Sequence, residues 1–169
     1  MAHIIIDGYN LIGTAHQNLE EERDQLIEVL SRYSKVKGHD VTVVFDGWKN
    51  GLGTETMMKT GGIRVIYSRI AENADRVIMR IIAEEQKAWI VISSDREIAD
   101  FAHSKEMVPV TSDEFERKLF AAIESADYEG GEIPDDEDRY DDLPPTRQKG
   151  AQRKLSKKEK MKSRALRKL

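Results

Sequence analysis

Three consecutive isoleucines, Ile4 to Ile6, run directly into Asp7, Gly8, Tyr9 and Asn10. An unbroken branched apolar run has no polar face to turn toward water, so it suits a central parallel strand covered by helices on both sides. Open α/β sheets collect their functional groups at the carboxyl ends of such strands, which is where Asp7 stands. Gly8 is read as letting the backbone turn without a Cβ, and Asn10 as an amide that can orient a carboxylate or a substrate oxygen.

The rest of the chain repeats the alternation. Leu19, Leu26, Ile27, Leu30 and Tyr33 recur at helical spacing and predict a helix over 19–36, ended by Gly38. Residues 41–47, VTVVFDG, predict a second buried strand that breaks at Asp46 and Gly47. Residues 48–62 are glycine-rich and read as a mobile loop, followed by a third strand over 62–68. Asn73 is placed to cap a helix over 73–87 with Asp75 in its first turn, and its apolar stripe is Ala74, Val77, Ile78, Ile81 and Ile82. A fourth strand over 89–92 exits through Ser93, Ser94 and Asp95 into a helix bearing Asp100, and a fifth over 107–110 precedes a helix capped by Ser112. Strands separated by helices predict an α/β fold with a mostly parallel sheet.

Composition divides the chain. The core must come from residues 1–126, because beyond them the large aliphatic side chains are only Ile133, Leu143, Leu155, Met161, Leu166 and Leu169. Residues 127–143 hold nine acids against one Arg and predict a disordered acidic linker, whereas 144–169 hold eleven bases against Glu159 and predict a basic tail that becomes helical on a partner. Such an arm binds polyanions, RNA above all, in a salt-dependent way and suits attachment to a large RNA assembly such as the ribosome. Cysteine is absent, which excludes disulfides and thiolate metal sites and agrees with a reducing cytoplasm. No apolar run approaches the roughly 18 residues of a membrane span, and no basic signal region opens the chain, so a soluble cytoplasmic protein is expected.

The ordered set IIIDGYN at 4–10, FDG at 45–47, ENAD at 72–75 and SSDRE at 93–97 resembles the YacP-like NYN domain, within the PIN-like ribonuclease superfamily. The resemblance spans residues 1–125. It implies a Rossmann-like five-stranded sheet in the order 3-2-1-4-5 and a metal-dependent endoribonuclease acting on single-stranded RNA in decay or processing. On that pattern Asp7, Asp75 and Asp95 match the clustered acidic positions and Asn10 the asparagine of the GYN motif. Asp46 and Asp100 are further candidates for the metal set.

The chemistry agrees with the pattern. Phosphodiester hydrolysis needs an activated water and a neutralised phosphate, and Mg²⁺ or Mn²⁺ on oxygen ligands supplies both. Clustered carboxylates repel one another until a cation bridges them. The competing use of Asp75 and Asp95 is to stabilise helix N-termini, whereas Asp7 is read as starting no nearby helix. Asp46 also fits an ordinary Asp-Gly turn, and Asp100 projects roughly 140° away from Asp95 on a regular helix. Arg69, Lys49, Arg96 and Ser94 are the candidate substrate contacts, with Trp48 beside Lys49 available to stack on a base.

Other classes fit less well. There is no P-loop, and the four histidines form no closely spaced pair. A phospho-receiver would use Asp46, but Asp7 has no acidic neighbour and Val110 leads to Thr111 rather than Lys. A structure-directed 5′ nuclease acting on DNA would need an arch that a 15-residue loop cannot build. The rival from a different class is a catalytically silent RNA-binding module that uses the basic tail.

Overall fold

The computed structural model describes residues 1–13, 18–47, 53–128 and 156–169. The elements are β1 (His3–Asp7), α1 (Gly8–Ile12), α2 (Leu19–Lys37), β2 (Asp40–Phe45), β3 (Thr56–Thr60), β4 (Ile63–Tyr67), α3 (Ala74–Glu84), β5 (Trp89–Ile92), α4 (Arg96–Ser104), β6 (Val108–Val110), α5 (Ser112–Tyr128) and α6 (Lys157–Lys168). They build one six-stranded sheet in the order β3-β4-β2-β1-β5-β6, parallel throughout except for the antiparallel β3–β4 pair. Without β3, this is the expected order 3-2-1-4-5. No helix among the described residues is long and apolar enough to cross a membrane.

Side-chain alternation in the central strand decides the layering. Ile4 and Ile6 point into the core beneath α2, α5 and α6 with Leu30, Tyr33, Phe115 and Leu119, while Ile5 points into the opposite core with Val77, Ile78, Ile81 and Ile98 of α3 and α4. All three isoleucines are fully buried, as a doubly covered strand requires. Asn73 caps α3 through its Oδ1, which accepts the Arg76 N–H at 3.2 Å, and Gly38 ends α2 in the left-handed conformation at φ 62°.

Four features differ from the sequence reading. Within the expected loop, residues Thr56–Thr60 form an edge strand whose side chains are mostly exposed, so it carries no apolar signature. Asp7 is followed at once by a one-turn helix, which it caps. Thr111, not Ser112, caps α5: its hydroxyl accepts the Glu114 N–H at 3.3 Å while Glu114 accepts the Thr111 N–H at 3.1 Å. Gly8 is required for room rather than for a turn, because a Cβ there would lie 2.2 Å from the Phe45 ring.

The basic tail also differs from the expected partner-dependent helix. Residues 157–168 form α6 against the chain's own sheet, with a capping box between Ser156 and Glu159. Ala165 and Leu169 are buried in the main core. Tyr33 donates its hydroxyl to the Leu169 carbonyl at 3.3 Å, and Lys162 pairs with Glu114 at 2.8 Å. The acidic stretch beyond residue 128 lies outside the described residues.

Two substitutions test this packing. Leu169→Ala should cost about 2–3 kcal/mol of unfolding free energy in a urea titration, whereas an undocked tail would leave the midpoint unchanged. Gly47→Ala places a Cβ 1.6 Å from the Ser68 carbonyl oxygen, and a loss of at least about 2 kcal/mol is expected by the same measurement.

Candidate active site

The parallel strands deliver their ends to one edge of the sheet. There β1 ends in Asp7, β2 leads into Asp46, β5 into Ser93, Ser94 and Asp95, and β6 into Thr111 and Ser112. Helix α3 returns from the β4 side with Asp75 in its first turn.

Asp7 is 8% exposed. Its Oδ1 accepts the Asn10 N–H at 3.2 Å, and Ser93 Oγ reaches its Oδ2 at 3.5 Å. Burial pushes this carboxyl up to about 6; the negative charges of Asp75 and Asp46 add to the rise, and the Asn10 and Ser93 contacts pull against it. Asp75 is also raised, first by burial and then by Asp95, Asp46 and Glu97. Asp7, Asp46, Asp75 and Asp95 therefore share one electrostatic neighbourhood, although they come from distant parts of the sequence.

Two of these acids also hold the local backbone. Asp95 Oδ1 accepts the Glu97 and Ile98 N–H groups at 2.7 and 3.3 Å, which caps α4. Asp46 Oδ1 accepts the Ala74 N–H at 2.6 Å, tying the end of β2 to the start of α3. For Asp46 and Asp95 the second oxygen takes no hydrogen bond from a described residue. Each of these two acids thus holds a loop with one oxygen.

Among the described residues, no three acidic or histidine side chains stand close enough to form a ready-made metal cage. The donor set nevertheless suits a hard cation of the Mg²⁺ or Mn²⁺ type, which is commonly held by one or two carboxylates with water completing the shell. Carboxylates facing one another across a partly buried edge are the groups such an ion would relieve.

Asn10 sits at the centre of a polar brace. Its Oδ1 accepts the Ser94 N–H at 2.8 Å and Ser112 Oγ at 2.6 Å, and the Ser112 N–H goes to Ser94 Oγ at 3.1 Å. Ser94 serves this brace with both its backbone and its hydroxyl. The Asp95 N–H binds Ser93 Oγ at 3.1 Å, which links the brace to Asp7.

The other sequence candidates are more scattered. Arg69 is exposed and pairs with Glu72 at 3.3 Å, and Arg96 is exposed at the start of α4. Asp100 is exposed farther along α4, where its charge acts on His103 rather than on Asp7 or Asp75. Lys49 and Trp48 lie outside the described residues.

Sequence reasoning passed over Glu97, whose charge acts on Asp75 and whose position two residues after Asp95, in the same first turn, was the available signal. It also passed over Arg23. That side chain lies 5.6 Å from the centre of the Tyr67 ring and pairs with Asp24 at 3.3 Å. Tyr9 feels both Arg23 and Asp46, so a buried cation borders the acidic edge.

Two solved structures share this architecture. Rae1 (YacP) from Bacillus subtilis has a TM-score of 0.62 and 22% identity, the match covering 77% of this chain and 80% of that one. A Trp-to-Leu variant of the same protein has a TM-score of 0.63 and 23% identity, covering 76% and 80%. At these identities the likeness concerns the fold. No curated protein matches the sequence. The YacP-like NYN domain, however, matches residues 4–168, nearly the whole chain including α6. The motifs around Asp7, Asp46, Asp75 and Asp95, the sheet that gathers them and this match agree that the chain belongs to the YacP-like NYN family.

Proposed function

We propose that this protein is a metal-dependent endoribonuclease that cuts single-stranded RNA. The observation that carries the reading is the convergence of Asp7, Asp46, Asp75 and Asp95 on the carboxyl edge, with Asp7 buried and destabilised by its acidic neighbours. Membership of a family within the PIN-like nuclease superfamily supports it.

Asp7, Asp75 and Asp95 would hold Mg²⁺ or Mn²⁺, with Asp46 at the border. A divalent ion there supplies a nucleophilic water at neutral pH and neutralises charge on the phosphate. The protein's own groups do the rest. Asp7 must be ionised to serve, Ser93 and the Asn10 N–H hold its two oxygens in place, and the exposed Arg96 at the start of α4 would meet the RNA backbone. Exposed Lys158, Lys160, Arg164, Arg167 and Lys168 of α6 add a basic surface for RNA, and the ribosome is the large RNA assembly we propose as its partner. Decay or processing of RNA in the cytoplasm is the setting this reading implies.

The exposed basic side chains of α6, which need no metal to bind RNA, support a second reading, a catalytically silent RNA-binding module. Metal-dependent turnover separates the two. Purified protein with unstructured RNA and Mn²⁺ or Mg²⁺ should produce internal cuts that disappear with EDTA. Asp7→Asn should lower the rate by at least about a hundredfold with folding retained. Absence of cutting both on free RNA and with ribosomes and translated message present would favour the binding module.

A pH experiment tests the burial of Asp7 separately. Its folded pKa of about 6 lies above the ordinary 3.8, so ionised Asp7 destabilises the metal-free fold. That cost, about 3 kcal/mol, is present above pH 6 and is relieved as the pH falls through 6 toward 4. Asp7→Asn should therefore unfold at higher temperature than wild type at pH 8, and the gap should close by pH 4. Mg²⁺ or Mn²⁺ should raise the melting temperature of wild type and not of the variant.

A further inference from the structure

The Asn10 amide is held in a way that decides what it can offer a ligand. The Ser94 backbone N–H, 2.8 Å from the amide, can only donate, so the oxygen rather than the nitrogen must face it. Ser112 Oγ donates to the same oxygen at 2.6 Å. Both lone pairs of Oδ1 are therefore engaged. No described residue accepts a hydrogen bond from Nδ2, and Nδ2 is not buried: among the described residues the one buried side-chain nitrogen or oxygen without a partner is Trp89 Nε1. Asn10 thus presents two N–H donors and no acceptor beside Asp7.

Ser112 makes this orientation specific. Because Thr111 and Glu114 cap α5 between themselves, the Ser112 hydroxyl is released from capping and turns to Asn10. Ser112 is itself 7% exposed and anchored through its N–H on Ser94 Oγ at 3.1 Å. The terminal torsion of an asparagine is broad, so one hydrogen bond leaves the amide loosely aimed and two fix it.

A phosphodiester group offers its partners acceptors only, as do the carboxylates around it. We infer that Asn10 is a hydrogen-bond donor to a non-bridging phosphate oxygen of the RNA and that Ser112 is the positioning residue that aims it. The inference rests on the nuclease reading above, and it removes Asn10 Oδ1 from the set of metal ligands.

The test compares wild type, Ser112→Ala, Ser112→Thr, Asn10→Ala and Asn10→Asp in two measurements. In RNA cutting, Ser112→Ala should lower kcat roughly tenfold with KM nearly unchanged, and Ser112→Thr, which restores the hydroxyl, should recover most of it. Asn10→Asp can accept both existing bonds but donates none, and it should be as impaired as Asn10→Ala. The second measurement follows the Asn10 side-chain amide by NMR while an unstructured RNA oligonucleotide is added to the full chain in EDTA, where the proposed metal-dependent cutting cannot proceed. The signals should shift in wild type and in Ser112→Thr, and much less in Ser112→Ala.

Equal kcat for Ser112→Ala and wild type, or full activity of Asn10→Asp, would overturn the inference while leaving the nuclease reading intact. A wild type that fails to cut but shows the amide shift would overturn cutting and keep the donor contact. Neither cutting nor shift would end both. Thermal melts of every variant guard against misfolding, and Ser112→Thr activity shows that loss in Ser112→Ala is not a folding defect.

Discussion

The molecule depends on a carboxylate buried at the end of its central strand. β1 has β2 on one side and β5 on the other, so whatever follows those strands must flank Asp7. Asp46 and the Ser93–Asp95 stretch arrive there for that reason, and α3 brings Asp75 from the far side of β4. An ionised acid out of water is unfavourable unless something compensates it. Here one backbone N–H and one distant hydroxyl compensate weakly, and the charges of Asp75 and Asp46 that act on Asp7 are negative. The fold therefore concentrates negative charge, and with it a demand for positive charge, at the edge where parallel sheets bind their ligands.

The acids that create this demand also hold the loops around it. Asp7 caps α1, Asp95 caps α4, and Asp46 clasps the start of α3. In Asp46 and Asp95 capping occupies one carboxylate oxygen and leaves the other without a donor among the described residues, so a residue type that ordinarily marks a helix start is no evidence against a site. The Asn10, Ser94 and Ser112 brace joins the exits of β1, β5 and β6 through one amide oxygen. It limits how far the edge can open and fixes which atoms of Asn10 remain available.

The basic tail shows how charge can conceal packing. α6 is dominated by Lys and Arg, yet it places Ala165 and Leu169 in the main core and half-buries Met161 and Leu166. A small side chain such as Ala165 lets the helix approach β6 closely, while long basic side chains remain in solvent. Hydrogen bonds from Tyr33 and between His39 and the Lys168 carbonyl secure its end across more than a hundred residues of sequence. The result is a basic surface on a docked helix rather than on a free arm.

Local sequence determined what local physics controls. The isoleucine run, the β-α alternation, the Asn73 cap, the Gly38 stop and the ordered acidic motifs were all legible, because each depends on neighbours a few positions away. β3 was not: an edge strand with exposed side chains needs no apolar pattern, only the free edge of β4. The Gly8 requirement comes from the Phe45 ring and the Ser112 role from Asn10, contacts that span 37 and 102 positions of sequence. The sequence by itself determined which parallel strands form and which acidic and amide side chains follow them. The tertiary structure alone decided which oxygens remain free and which way the Asn10 amide faces, because those follow from strand order and the closing of hydrogen bonds between segments that are remote along the chain.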